Sequence, residues 1–137
     1  MENHNKKHLS SFQDMTLLYV EDDMITQKLL SRFFEVRFKT VLCAKDGEEG
    51  LSVFSENSHA INLVVTDIVM PKINGLEMGE ELRKRGFLGP IIITSAYIEP
   101  FYQKKAGEIG ISGYLQKPIM MQEFAMLLEK ILKEDKA

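Results

Sequence analysis

Four strand-like stretches of this chain each run straight into a polar side chain able to do chemistry. "TLLYV" leads into Glu21 and Asp22, "INLVVT" into Asp67, "PIIIT" into Ser95 and "SGYLQ" into Lys117. A carboxylate within an apolar run is costly to bury unpaired; at its end it stands on the rim of a core, where sites are built. Three carboxylates on one rim repel one another, and a hard divalent cation offsets that repulsion. Oxygen ligands of this kind suit Mg²⁺, which keeps several waters and is commonly completed by phosphate oxygens. A lysine opposite the carboxylates supplies a cation for Asp67 or for a phosphoryl oxygen, and a serine hydroxyl can donate to a second oxygen. With a metal on the third, every equatorial oxygen has a partner, as phosphoryl transfer requires. The nucleophile is then a carboxylate, and its product an acyl phosphate on the protein.

Whether these groups meet depends on the elements that carry them. Thr16 to Val20 reads as a first strand. "DMITQKLLSRFFEV" places Ile25, Leu29, Leu30, Phe33 and Phe34 on one face of a helix. "KTVLCA" is a second strand and "DGEEGLSVFSEN" a helix with acids in its first turn, where the helix dipole favours them. "INLVVTD" is the third strand. "GLEMGEELRKRG" is helical, with bases in its last turn and Gly86 as a stop. "PIIITSA" is the fourth strand, followed by a helix in "EPFYQKKAGEIG", with Pro100 in its first turn and Gly110 ending it. "SGYLQKP" carries the fifth strand, and "MQEFAMLLEKILKED" closes the chain as an amphipathic helix with Phe124, Leu127, Leu128 and Ile131 on one face.

Five strands, each followed by a helix, indicate an α/β fold whose parallel sheet has helices on both faces. Uninterrupted apolar strands are expected when both faces are covered. The predicted architecture is flavodoxin-like and doubly wound, five parallel strands in the order 2-1-3-4-5 with five helices. Its topological switch point lies between strands 1 and 3, and ligands bind beyond the carboxyl ends there. That topology brings Glu21, Asp22 and Asp67 to one patch.

A length of 137 residues suits one domain with a single core, and 45% hydrophobic with 27% charged residues is ordinary for a soluble protein. A net charge of −3 gives no electrostatic pull toward nucleic acid or anionic membrane. No apolar run approaches the ~20 residues of a membrane span. The N-terminal segment lacks the apolar centre of a signal peptide. The single cysteine, Cys43, reads as a small core residue and fits a reducing cytosol; the expected location is the cytoplasm. Residues 1–15 read as a polar tail, in which a metal shared by His4 and His8 is less expected than a solvated segment. Residues 16–133 form the domain, and 134–137 are a charged end or the start of a linker.

The motifs resemble those of the receiver domain of two-component response regulators, of the chemotaxis-regulator kind. The matching pieces are "LLYVEDD", "DIVMPKINGLEM", "PIIITSA" and "GISGYLQKPI", in order, covering roughly Thr16 to Lys133. The resemblance implies that Asp67 accepts a phosphoryl group from a sensor histidine kinase or histidine phosphotransfer protein. It implies Mg²⁺ held by Glu21, Asp22, Asp67 and the backbone carbonyl of Val69, with Asp22 the direct ligand and Glu21 acting through water. Asp23 falls outside that set and opens the helix. Ser95, rather than Thr94, takes the hydroxyl role, and Lys117 the lysine's. Tyr114 falls at an aromatic switch position, coupled to Ser95, that reshapes the face of helix 4, strand 5 and helix 5; a dimer would form through that same face. The Lys117–Pro118 bond is expected cis. Val69 and Tyr97, two residues beyond Asp67 and Ser95, flank the path of a hydrolytic water. Neither is an acid or an amide, so a long-lived phosphoryl group is expected. Such a chain is a signalling switch rather than an enzyme.

Taken singly, each of these residues has an ordinary explanation. Asp22 or Asp23 caps a helix, Asp67 before Pro71 and Gly75 sits in a turn, Lys117 is surface charge, Ser95 bonds to backbone and Tyr114 is half-buried packing. Their joint placement on one sheet edge has no such explanation. An aspartyl-nucleophile hydrolase would carry a second acid two positions after the first, where Val69 stands. A flavodoxin would need a phosphate-cradling loop after strand 1, and "EDDMITQ" would repel the flavin phosphate. The remaining alternative is a pseudo-receiver, an interaction module that does not accept phosphate.

Overall fold

The computed structural model describes residues 12–97 and 99–136. Its elements alternate strictly: β1 (Thr16–Val20), α1 (Met24–Arg37), β2 (Thr40–Ala44), α2 (Gly47–Asn57), β3 (Ile61–Asp67), α3 (Gly75–Lys84), β4 (Ile91–Ser95), α4 (Pro100–Ile109), β5 (Gly113–Gln116) and α5 (Met121–Lys136). The five strands form one sheet in the order β2-β1-β3-β4-β5, every pair parallel. This is the expected doubly wound topology, with its switch point between β1 and β3.

Alternation along the strands divides the core between the faces. Leu17, Tyr19, Leu63, Val65 and Ile92 pack with Phe34 of α1 and with Phe124, Leu128 and Ile131 of α5. Leu18, Val20, Val64 and Ile91 pack on the opposite face with Phe54, Met78 and Leu82 of α2 and α3. Ile93 joins Ile68, Leu76 and Ala106, against which Tyr102 and Tyr114 lie half-buried.

Helix ends follow local chemistry. Asp23 caps α1, accepting from the backbone N–H (3.1 Å) and the hydroxyl of Thr26. Asp46 caps α2 through the Glu49 N–H (2.8 Å). Asn74 and Glu77 form a reciprocal capping box on α3. Gly86 and Gly110 take the left-handed conformation just past α3 and α4, as expected of helix stops, and Pro100 sits in the first turn of α4. Lys117–Pro118 is cis.

Three sequence expectations need correction. The buried stripe of α1 is not the predicted one: Phe34 is fully buried and Leu30 partly, but Ile25, Leu29 and Phe33 are 73%, 57% and 50% exposed. The row that meets the sheet runs through Gln27 and Phe34, seven residues apart, and the Ile25–Leu29–Phe33 row lies beside it, facing outward. Cys43 is exposed rather than in the core, because β2 is an edge strand whose middle positions are incompletely covered. Ahead of β1, where a tail was expected, Phe12 and Met15 are buried, and the Phe12 ring stacks on Phe38 (5.7 Å between centroids). His4 and His8 lie outside the described residues.

Candidate metal and phosphoryl site

Parallel pairing sets the site. The β1–β3 register ends at Val20 opposite Thr66, so the next residues, Glu21 and Asp67, emerge together at the carboxyl edge. Asp67 pairs with Thr94 on β4, and Ser95 with Gln116 on β5, which puts Lys117 one residue beyond the same edge. The loop after β3 closes tightly over this edge. Gly75 donates its N–H to Ile68 O (2.8 Å), and a Cβ there would meet the Asp67 carbonyl at 2.3 Å. A side chain at 75 would push α3 off the strand carrying Asp67, which explains the glycine of "DIVMPKING".

Carboxylate oxygens of Glu21, Asp22 and Asp67 lie within 4.8 Å of one another. Glu21 and Asp67 are buried and Asp22 is exposed, so the cluster opens to solvent on one side. Lys117 Nζ donates to Asp67 Oδ2 at 2.8 Å and lies 3.1 Å from Glu21 Oε1. The remaining carboxylate oxygens are held by backbone: Asp67 Oδ1 accepts from the Ile68 N–H (2.8 Å) and Glu21 Oε2 from the Asp23 N–H (3.1 Å). Burial raises the Glu21 carboxyl above its ordinary range; the Asp23 N–H and Lys117 counter this in part, and the Asp67 charge adds to it. For Lys117 burial works against the charge, but the Asp67 and Glu21 carboxylates outweigh it and hold the ammonium above its ordinary value.

Glu21 Oε1 is buried, with the Lys117 ammonium 3.1 Å away. Such an oxygen in an all-oxygen carboxylate cluster fits a hard cation. Glu21, Asp22 and Asp67 are the residues that would hold it. Val69 follows in the β3–α3 loop with its side chain 68% exposed.

The other predicted residues stand close by but are engaged elsewhere. Ser95 is buried at the end of β4, and its hydroxyl donates to Tyr97 O (2.8 Å) and accepts from Tyr97 N–H (3.2 Å), closing a turn within its own loop. Thr94 is also buried and turns toward the β3 backbone (Oγ1 to Thr66 O, 3.5 Å). The Tyr114 hydroxyl donates to Gln103 O of α4 (3.1 Å), and Tyr97 is exposed. The structure thus brings Glu21, Asp22, Asp67 and Lys117 into one cluster and leaves Ser95 and Tyr114 tied to the β4–α4 side.

Two features escaped the sequence reading. Gln27 is a buried amide beneath the acidic loop; its position on the row of Phe34 was the available signal. Lys72, at φ 73° in the β3–α3 loop, reaches back to Asp46 (3.6 Å) and Glu48 (3.9 Å), bracing that loop against α2; nothing in its sequence context marked it.

Residues 17–129 match the family model described as the response regulator receiver domain. The transcriptional regulatory protein CiaR of Streptococcus pneumoniae is 34% identical over 118 residues, covering 85% of this chain and 51% of CiaR. The chain spans about half the length of the curated relatives it matches first. Among solved structures, the N-terminal domain of an uncharacterized Wolinella succinogenes protein is 37% identical, with a TM-score of 0.78, 90% of this chain and 99% of that chain covered. A response regulator receiver domain from Clostridium thermocellum is 26% identical, with a TM-score of 0.79, 89% and 97% covered.

Proposed function

The chain belongs to the response regulator receiver domain family, and on that premise we propose that it is a phosphorylatable signalling switch with Asp67 as acceptor. The observation that carries this reading is Lys117 Nζ 2.8 Å from Asp67 Oδ2, inside a cluster of three carboxylates within 4.8 Å of one another.

An Asp67 carboxylate oxygen attacks the phosphorus of a phosphohistidine on a sensor kinase or phosphotransfer protein. The new O–P bond forms as the P–N bond breaks, and the imidazole nitrogen takes the departing electron pair. Bound Mg²⁺ would neutralise charge on the transferring group. Lys117 already touches the acceptor carboxylate and binds one phosphoryl oxygen. Ser95 leaves its turn with Tyr97 and donates to another. Withdrawal of Ser95 frees space behind β4, Tyr114 gives up Gln103 O and turns inward, and the α4–β5–α5 face changes shape for its output partner. Exposed Tyr97 and Val69 leave no acid or amide to align a hydrolytic water, so the phosphorylated state is long-lived.

The donor's route is indicated by α1. Leu29 and Phe33 of its outward row line, with Thr26 and Leu30, a groove completed by Pro118 and Ile119 beside Lys117. Among the described residues this is an apolar surface next to the acceptor, suited to a helical partner that must present its histidine to Asp67. No helix among the described residues is long and apolar enough to cross a membrane.

The test is a beryllofluoride titration with Mg²⁺, followed by amide NMR in wild type, Asp67→Asn and Ser95→Ala. Saturable shifts at the acidic cluster and at Tyr114 in wild type, lost in Asp67→Asn and uncoupled from Tyr114 in Ser95→Ala, are expected. Binding by Asp67→Asn equal to wild type overturns the acceptor assignment.

A further inference from the structure

The acidic cluster rests on a buried amide. Gln27 is 9% exposed on α1, in the row that faces the sheet, where its neighbour one heptad on is Phe34. Its Nε2 donates to the carbonyl of Glu21 (3.1 Å) and to that of Ala44 (2.9 Å), so both amide hydrogens are used. Ala44 O also accepts from the Glu21 N–H (3.0 Å). One side chain thus ties the residue just past β1 to the last residue of β2. The Glu21 peptide is held from below by its own N–H and by its carbonyl. Immediately beyond that carbonyl stand Asp22, whose carboxylate completes the cluster, and Asp23, whose N–H fixes Glu21 Oε2.

A buried amide is costly unless its polar atoms are paired, and an apolar residue would suit a row that otherwise packs on the sheet. From this geometry we infer that Gln27 is a positioning residue for the metal site, setting the direction in which Glu21 and Asp22 leave the sheet edge. The inference rests on the proposed Mg²⁺ site. Groups that hold metal ligands in place typically matter about 10–100-fold for metal affinity. Gln27 acts on the backbone that carries the ligands rather than on a carboxylate, so the lower end, roughly tenfold, is expected.

Gln27→Met keeps the length and suits the apolar row, but donates nothing. Gln27→Asn keeps the amide one methylene short of the two carbonyls. Each is compared with wild type by calorimetric titration with Mg²⁺ alone and by thermal melting, with acetyl phosphate labelling across a range of Mg²⁺. Both variants should melt cooperatively, bind Mg²⁺ about tenfold more weakly, and recover the wild-type labelling rate once Mg²⁺ is saturating. A group that merely fills space would lower the melting point and leave the Mg²⁺ affinity of the folded protein unchanged. Should Gln27→Met lose its cooperative melt, Gln27→Asn decides by the same titration. Mg²⁺ affinity equal to wild type in the folded variants overturns the role of Gln27 and leaves the site intact, whereas no Mg²⁺ binding by wild type overturns both.

Discussion

Replacing Lys117 by methionine removes the cation that stands between the Asp67 and Glu21 carboxylates, at 2.8 and 3.1 Å. At an effective dielectric of about 20 each contact is worth roughly 5–6 kcal/mol of gross Coulomb energy. Much of that is cancelled, since the ammonium recovers its hydration in the unfolded state. Breaking a fully buried pair costs about 3–5 kcal/mol; the Lys117 side chain keeps 26% of its exposure, so water already screens part of the interaction. The expected loss for Lys117→Met without metal is therefore about 2–3 kcal/mol, or roughly 6–12 °C in melting temperature for a domain of this size. The two carboxylates left facing each other should then welcome a divalent cation more strongly than in wild type. At about a hundredfold excess over Kd, Mg²⁺ contributes about 2.7 kcal/mol, enough to restore most of the loss. The assay is a pair of melts, with Mg²⁺ and with chelator, on wild type and variant. An unchanged metal-free melting point, or a Mg²⁺-induced rise no larger than that of wild type, refutes the reasoning.

Asp46→Ala should cost about 1 kcal/mol at neutral pH through loss of the α2 cap. The Glu49 N–H, chiefly, holds the Asp46 carboxyl below its ordinary value, so its ionised form adds stability above the unfolded value and loses it as pH falls through the folded one. The gap between wild type and variant in urea midpoints should close in acid, and a gap independent of pH would contradict this. Phe12→Ala, which unstacks the ring from Phe38, should destabilise by about 3 kcal/mol; a loss under half that, measured by urea unfolding, would mean the segment ahead of β1 is not part of the core. Phe33→Asp should slow phosphoryl transfer from a cognate kinase while leaving acetyl phosphate labelling unchanged, and equal slowing of both would remove α1 from the docking face. Val69→Asn and Tyr97→Ser should each shorten the acyl phosphate lifetime; identical decay in both would overturn the reading of those positions.

What could be read from the chain was set by where apolar runs end. Glu21, Asp67, Ser95 and Lys117 each follow such a run, and a parallel sheet carries all run ends to one edge, so both topology and cluster were legible. Helix orientation was harder. On α1 two rows lie side by side, and hydrophobicity alone merged Ile25, Leu29 and Phe33 with Leu30 and Phe34 into one face, although only the row of Gln27 and Phe34 is buried. An amide among core residues looks like surface until its two carbonyl acceptors are seen, and those come from strand ends 6 and 17 residues away. Cys43 was misjudged because the apolar run "TVLCA" reads like covered strand, although the expected order already put strand 2 at the edge, where cover is incomplete. Phe12 and Met15 stand among polar residues with no period, and only the packed cluster around Phe38 gives them a place.

The most direct measurement is chemical location of the phosphoryl group. The protein is incubated with acetyl phosphate and Mg²⁺, the acyl phosphate is reduced with borohydride to trap the modified residue as homoserine, and the peptides are mapped by mass spectrometry. Homoserine is expected at position 67, dependent on Mg²⁺, strongly reduced in Asp22→Ala and absent at 67 in Asp67→Asn. A chain that takes no label with Mg²⁺ present, or carries it on another carboxylate while Asp67 stays unmodified, would contradict it.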